Sequence, residues 1–271
     1  MSGAAFEGLE GLSSAELGES YEPGSTGFEQ SMLDALLADI IGIVDDCRWH
    51  YVVYYYNEKE ELYLGKDGFR RAVQRTTALL SRGDWSGGQE LLDAAVLRLP
   101  CLLDEYGIER SNYVLDPLIQ ALYLVGENGL TLDLSPLGRV HQYHAATHLS
   151  GVPGNPLHLV FRGLGVDLFG TESSHAVFDV HSPVYERGGC KATFSFFDFH
   201  GQVGMPGCWG SDCTLHMDEI YGYPTDAEGC SYYVRNGFGE LRARAYAEEG
   251  FFTSRNRLFV PKGSDWEEVR A

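Results

Sequence analysis

From residue 28 to residue 99 the chain has stretches in which apolar residues recur every three or four positions, the spacing that predicts amphipathic helices. The clearest stretch, residues 28 to 45, has its apolar residues at Met32, Leu33, Leu36, Leu37, Ile40, Ile41 and Val44. This helix either packs on the core of its own chain or docks on a neighbouring molecule. Further helices are predicted from Asp67 to Leu80 and from Gln89 to Leu99, the second ending at Pro100.

Two-residue alternation, typical of strands, marks most of the second half of the chain. The predicted strands from Leu157 onward are "LHLVFR", "HAVFDVH", "KATFSFFDFH", "TLHMDEIY", "ELRARAYA" and "NRLFV". Earlier, "WHYVVYYY" and "ELYLG" flank a short turn at 57–60, and Asn128-Gly129 and Asn236-Gly237 each predict a hairpin. No internal repeat is found. The pattern predicts an α+β protein with an antiparallel β-sandwich core, the N-terminal amphipathic helix and additional helices.

Composition adds boundaries to this fold prediction. Residues 1–27 are small, acidic and Gly/Ser-rich, which predicts a flexible acidic arm before a single β-rich domain over 28–271. A net charge of -19 argues against nucleic acid and anionic membranes as partners. No apolar window approaches the length of a membrane span, and no secretory signal is recognised, so a cytoplasmic protein with free thiols is expected.

Two groups of residues have the chemistry of metal ligands. His141, His144 and His148 would share one face of a helix, but Gly138 and "LSGVPGNP" argue against a helix there and favour histidines in a loop. Cys208 and Cys213 with His216 lack the spacing of common zinc sites. The sequence therefore predicts no metal, with His141, His144 and His148 as the candidates if one binds.

Two groups of residues resemble catalytic arrangements. Ser195, Asp198 and His200 are close in sequence, but strand alternation sends neighbours to opposite faces, which favours a core strand over a triad. "LHLVFRG", with Arg162, and "SRNRLFVPKGS" resemble segments of ADP-ribosyltransferases. In that family the second segment carries the catalytic glutamate, where Arg255 and Arg257 stand here. An active transferase is not expected, and the chain is predicted not to be an enzyme.

The tyrosines at the first hairpin suggest a different role. Alternation places Tyr51 and Tyr55 on one strand face and Tyr54 and Tyr56 on the other, so both faces are bulky and amphipathic. We predict that these tyrosines, with Leu36 and Ile40, form a pH-sensitive interface, the alternative being an ordinary strand with exposed hydroxyls. Phenols and thiols lose protons in alkali, which would drive tightly packed copies of so acidic a chain apart.

The N-terminal helix, the "WHYVVYYY" hairpin, the helix "GFRRAVQRTTALL" and the β-rich half together resemble the polyhedrins of insect viruses, the cypovirus type in particular. The resemblance is clearest from Trp49 to Leu80 and returns near "FGELRARAYAEEGFF".

This resemblance implies an occlusion-body matrix protein that crystallises around virus particles in the cytoplasm of the infected cell and dissolves at alkaline pH. It also implies homotrimers cross-linked by the N-terminal helix. No cofactor is required, although such proteins hold nucleotides in the lattice. The alternatives are an acidic inhibitor or immunity-type protein that binds a basic enzyme, and an enzyme that is metal-dependent or transferase-like.

Overall fold

A computed structural model of the chain describes residues 30–46, 50–53, 60–63, 66–82, 87–102, 112–137, 142–222, 226–236, 239, 244–245, 247 and 256–269. Four helices precede most of the strands in the described part of the chain: α1 (Gln30–Asp46), α2 (Lys66–Leu80), α3 (Gly88–Leu102) and α4 (Asn112–Leu124). None of these helices has the length and apolar character of a membrane span.

The strands form a small hairpin and one large sheet. The hairpin pairs β1 (His50–Val53) with β2 (Glu60–Tyr63). The large sheet contains β3 (Leu130–Asp133), β4 (Gln142–Ala145), β5 (Leu157–Arg162), β6 (Val166–Phe169), β7 (Ala176–His181), β8 (Val184–Gly188), β9 (Phe196–Pro206), β10 (Thr214–Ile220), β11 (Ser231–Val234), β12 (Arg257–Lys262) and β13 (Asp265–Val269). A short 3-10 helix, Ser135–Leu137, follows β3.

The large sheet is wound as a parallel β-solenoid. Strands β3, β5, β7, β9, β10, β11 and β12 stack in parallel on one side, and β4, β6, β8 and the second half of β9 stack on the next. Isolated parallel bridges join Ser150, Ser174, Thr193, Ser211 and Glu228 along a third side. Equivalent positions fall at Leu159, Phe178, Phe197, Leu215 and Tyr232, so one coil takes about 17 to 19 residues.

Alternation along each strand sends every second side chain into the solenoid. Leu159, Phe178, Phe197, Leu215 and Tyr232 form one buried row, and the next inward row contains Phe161, Val180, Phe199, Met217 and Val234. The rings of Phe178 and Phe197 stack with centroids 5.0 Å apart. The outward residue between these rows is Val160 in the first of these coils and polar or aromatic from Asp179 onward, and these later residues carry the candidate site.

The corners of the coils need left-handed backbone conformations. Equivalent residues at one corner all have positive φ between 51° and 62°: His148, Glu172, Lys191, Trp209 and Asp226. Because these are not glycines, each accepts a modest steric cost that repeats from coil to coil. The same corner geometry in successive coils keeps the strands in parallel register.

The helices cover the N-terminal end of the solenoid. Helix α3 packs on β3 and α4 packs on β4, while α1 contacts the other three helices. Their buried residues join those of the coils in one continuous core. Asp34 of α1 and Arg98 of α3 form a two-bond ion pair at 2.7 Å that ties the outermost helix down. End coils of solenoids need such covers because their strand edges are otherwise open.

One face of α4 fastens the helices to the first coil through three side chains spaced one helical turn apart. Asp116 accepts hydrogen bonds from the backbone N–H groups of Ala146 and Thr147. Gln120 accepts a hydrogen bond from the N–H of Ser150 and donates one to its carbonyl. Tyr123 donates its hydroxyl to the carbonyl of Asn155. Burial raises the pKa of Asp116 from 3.8 to about 8, an effect that the two backbone N–H bonds only partly offset.

The predicted antiparallel β-sandwich is wrong, because the main strands pair in parallel within one wound sheet. The strand positions from "LHLVFR" to "TLHMDEIY" and at "NRLFV" are confirmed.

The hairpin predicted at Asn128-Gly129 is wrong, since α4 precedes this turn, and the expected absence of a repeat is overturned by the coils. Pro100 lies inside α3 and does not end it. The hairpin predicted after Asn236-Gly237 is also wrong, because Arg244, Ala245 and Ala247 of "ELRARAYA" are helical.

The predicted first helix is confirmed as α1, and the first hairpin as β1 and β2. Leu36 and Ile40 of this helix are buried within the core of the single chain. The acidic arm at 1–27 and Tyr54, Tyr55 and Tyr56 lie outside the described residues, and Tyr51 is described only as part of the β1 backbone. The interface role predicted for these four tyrosines, with Leu36 and Ile40, stays a prediction.

Candidate metal centre

The outward side chains of β7 and β9 bring a carboxylate and two imidazoles together on the solenoid surface. Asp179 and His181 are two residues apart on β7, so they share its outer face, and His200 occupies the place of His181 on β9. Asp179 Oδ2 lies 3.1 Å from His181 Nε2, and Asp179 Oδ1 lies 2.8 Å from His200 Nε2. The two rings stack with centroids 4.3 Å apart and planes 4° apart.

These three residues have the donor set and spacing of a metal site. One potential ligand atom from each lies within 4.8 Å of the other two, and no other such group occurs among the described residues. Zinc bonds of 2.0–2.2 Å to nitrogen and oxygen in a tetrahedral arrangement place neighbouring ligand atoms about 3.3 Å apart. The two Asp179 contacts, 3.1 and 2.8 Å through its two carboxylate oxygens, are close to this spacing, and all three ligand atoms lie within 4.8 Å of one another.

Without a metal, the same contacts are hydrogen bonds from the imidazoles to the carboxylate. Asp179 then orients both rings, and the pair with a protonated histidine adds charge attraction. The three side chains are between 38% and 43% exposed, so the centre is open to solvent. An accessible cluster with three donors, two of them imidazoles, resembles the catalytic type of zinc site more than the closed structural type.

A second carboxylate stands beside the centre, held by an arginine. Asp198, the register partner of Asp179, has Oδ2 3.8 Å from His200 Nε2. Its Oδ1 is 2.7 Å from an Arg235 nitrogen, and Arg235 also reaches Asp218 at 3.0 Å and donates to the Phe199 carbonyl at 2.7 Å. This ion-pair network ties together β9, β10 and the residue after β11.

Aromatic rings form a wall on the C-terminal side of this network. His216, the register partner of Asp198, packs against Tyr233 at 4.4 Å between centroids and against Trp266 at 5.9 Å. Trp266 stands nearly perpendicular to Tyr233, at 82°. Burial lowers the pKa of His216, opposed by the charge of Asp198 and reinforced by that of Arg235. His216 is therefore suited to remain a neutral proton acceptor near neutral pH.

The structure separates the residues that the sequence grouped as catalytic. Asp198 and His200 both face outward, but Ser195 is buried and donates its hydroxyl to the Thr193 carbonyl, so no triad forms. Arg162 lies on the same outer face as the candidate centre, in register with His181. Arg257 pairs with Glu268 at 3.2 Å, and Arg255 lies outside the described residues.

The histidines and cysteines proposed as ligands lie elsewhere. His144 is buried in β4, and His148 is buried at a corner with Nδ1 3.4 Å from Glu172 Oε2, while His141 lies outside the described residues. Cys208 and Cys213 are buried inside the solenoid, whereas His216 is on its outer face. Neither group contributes to the Asp179 cluster.

Sequence reasoning missed Asp179, His181 and Arg235. A signal for the first two was present, since "AVFDVH" and "SFFDFH" share apolar positions and the Asp-x-His triplet. In a solenoid, such a repeat places equivalent residues in adjacent coils about 4.8 Å apart. Comparison of the chain with protein-family models, with curated proteins and with solved structures gives no match.

Proposed function

We propose that this protein is a metal-dependent hydrolase whose catalytic ion, zinc in the first instance, is bound by Asp179, His181 and His200. The observation that carries the proposal is the cluster of one carboxylate and two imidazole donors within 4.8 Å of one another on adjacent strands. Two histidines with one carboxylate are a ligand set used by hydrolytic zinc sites. The net charge of -19 favours retention of a divalent cation.

The open side of the cluster supports catalysis over a structural role. Three protein donors leave a coordination position for water, and a zinc-bound water ionises near neutral pH and becomes a nucleophile. The protein's own part is to bring the two imidazoles together on adjacent strands and to orient both through Asp179. His216, in register with Asp198, is suited to accept a proton on that side.

Two histidines and a carboxylate also bind iron in enzymes that activate oxygen. The solvent exposure of the three side chains favours hydrolysis over this alternative. Reactive oxygen intermediates need a site that excludes water, whereas hydrolysis uses water as a reactant. The outer face of the solenoid is open on the side of His181 and His200, which favours hydrolysis. A flat, open face of this kind suits an extended substrate that lies across several coils.

Metal titration tests the binding part of this proposal. Chelator-treated full-length protein should bind close to one zinc per chain by calorimetry, and the double variant His181→Ala/His200→Ala should lose this binding. His158→Ala is the matched control, because His158 is an exposed histidine on β5 of the same stack, in register with Val177 and not with His181. Zinc binding that survives in the double variant would overturn the site.

A substrate screen tests the hydrolase part. The zinc-loaded protein is assayed on chromogenic carboxylate esters, phosphate esters and glycosides, with His181→Ala/His200→Ala as the blank. We expect the wild type to turn over at least one class of substrate and the variant to turn over none. Removing zinc from the wild type should abolish this turnover, and adding zinc back should restore it. Equal rates for wild type and variant on all three classes count against a hydrolase.

The occlusion-protein hypothesis stays a prediction. The tyrosines on which it depends lie outside the described residues or have undescribed side chains, so neither self-assembly nor alkaline release gains support from them. The metal cluster, in contrast, consists entirely of described residues.

A further inference from the structure

The candidate centre contains two copies of the same pair of donors. Asp179 and His181 on β7 are matched by Asp198 and His200 on β9, and the two aspartates are register partners. The His200 ring nitrogen lies 2.8 Å from Asp179 and 3.8 Å from Asp198. The three clustered donors are Asp179, His181 and His200. Asp198 lies just outside this cluster, next to His200, as a potential fourth ligand.

Four protein ligands in a tetrahedral arrangement close a zinc ion off from water, as in structural sites. The two pairs differ in that Arg235 contacts Asp198 but not Asp179. Its guanidinium contacts Asp198 at 2.7 Å, Asp218 at 3.0 Å and the Phe199 carbonyl at 2.7 Å, so three of its nitrogens are engaged. Among the described residues, Asp179 is held by no arginine or lysine ion pair.

We propose that Arg235 is a positioning residue that withholds Asp198 from the metal and so keeps one coordination position open. The inference rests on the proposed function, because it concerns the same ion. To become a ligand, Asp198 would have to move into the cluster and away from the Arg235 nitrogen that lies 2.7 Å from its Oδ1. The guanidinium fork can hold two carboxylates and a carbonyl at once, which the single ammonium group of lysine does far less well.

Removing the guanidinium should convert the open site into a closed one. In Arg235→Gln, Asp198 becomes free to serve as a fourth ligand, and zinc affinity should rise by about tenfold or more, the scale on which neighbouring groups tune metal sites. The double variant Arg235→Gln/Asp198→Asn should return to the wild-type affinity. Asp198→Asn alone should stay within about twofold of the wild type, because Asp198 is not a ligand while Arg235 holds it.

Cobalt provides a readout that a merely structural role for Arg235 would not move. Cobalt(II) bound to four protein ligands gives the strong visible absorption of a tetrahedral ion, whereas a site completed by water can expand to weakly absorbing five-coordination. We expect the absorption of the cobalt protein to increase in Arg235→Gln and to revert in the double variant. Arg257→Gln, which removes a different outer-face ion pair, is the control and should leave the spectrum unchanged.

The outcomes separate the two proposals. A wild-type protein that binds no metal overturns the proposed function and this inference with it. A wild type that binds zinc, with equal affinity and an unchanged cobalt spectrum in Arg235→Gln, overturns the role of Arg235 and leaves the centre standing. Should Arg235→Gln fail to fold by circular dichroism, Arg235→Lys supplies the test, with a smaller rise in affinity expected and no change as the contrary result.

Discussion

The imidazoles of His181 and His200 lie face to face in consecutive coils, with centroids 4.3 Å apart and both Nε2 atoms directed at Asp179. Their strands, β7 and β9, are already joined by parallel backbone pairing. An ion bound by both Nε2 atoms and Asp179 would therefore link two coils that must separate when the protein unfolds. If the chain binds the proposed ion, metal binding and fold stability will be coupled through this one relationship.

Zinc should stabilise the folded protein. At a free zinc concentration about 100 times the dissociation constant, the gain in unfolding free energy is about 2.7 kcal/mol. We expect the thermal midpoint to rise with zinc in the wild type and in His158→Ala, but not in His200→Ala. The rise should vanish as the pH falls from neutral to about 5, because protons compete with zinc for imidazole nitrogen. An unchanged midpoint at saturating zinc would contradict the coupling.

Phe197 should contribute strongly to the stability of the solenoid interior. It is fully buried and stacks on Phe178 in the preceding coil, so Phe197→Ala should cost about 3–5 kcal/mol in chemical denaturation. Phe194, three residues earlier, is 57% exposed, so Phe194→Ala should cost far less, apart from its stacking on His175. Equal losses for the two variants would show that the inward and outward faces are assigned incorrectly.

Gly204 should tolerate no side chain. A Cβ there would overlap the carbonyl oxygens of Glu186 and Tyr185, which belong to the neighbouring strand β8. Because backbone atoms cannot move aside without disturbing β8 and β9, Gly204→Ala should destabilise the fold by several kcal/mol. Gly201 in the same strand has open space around it, so Gly201→Ala is the control. Both are measured by urea denaturation, and a mild effect at Gly204 would argue against this strand packing.

Asp116 should make stability depend on pH. Its pKa is raised by burial to about 8 in the folded protein, so the folded state holds this proton more tightly than the unfolded chain does. The stabilisation is complete below about pH 4, the unfolded-state value, and is lost as the pH rises towards 8. Each pH unit in that window should lower the unfolding free energy by up to about 1.4 kcal/mol.

Asp116→Asn isolates this contribution, because asparagine cannot ionise. The fall in unfolding free energy between pH 5 and pH 8 should be smaller in the variant than in the wild type. Asp67→Asn, at an exposed aspartate, should keep the wild-type dependence. A variant with the full wild-type slope would mean that other groups set the pH response.

Local sequence patterns predicted where strands lie but not how they pair. "LHLVFR" and "AVFDVH" alternate because one strand face is buried and the other is solvated, and that condition is met both in an antiparallel sandwich and in this parallel solenoid. Direction depends on the connections, which here are short corners built on left-handed residues such as Glu172 and Lys191. Neither residue type predicts that conformation.

The repeat was obscured by drift in coil length and in residue identity. Phe178 and Phe197 are 19 positions apart, but Leu215 and Tyr232 follow at shorter intervals. Asp179 and Asp198 are replaced at the next equivalent positions by His216 and Tyr233. Asn128-Gly129 predicts a hairpin, but the residues before this turn, up to Leu124, complete the helix α4, which packs against α2 and the first coil. Tertiary packing decided that segment.

Only half of the candidate site could be predicted from the sequence, because the other half depends on how the coils pair. Asp198 and His200 stood out within one strand, but their partners Asp179 and His181 join them only through the parallel register. Arg235 becomes relevant only because its coil lies two strands further along the stack. No spacing within a single segment encodes such contacts.

The position of Arg235 late in the chain has a consequence for protein synthesis. Both Asp-x-His pairs lie on strands made before β10 and β11, and the arginine emerges only after β11. A chain that folds from its N-terminus can thus assemble all four donors while the guanidinium is still absent. If the protein binds the proposed ion, we expect the growing polypeptide to bind it most tightly at this stage and to release one carboxylate from it when the final coils dock.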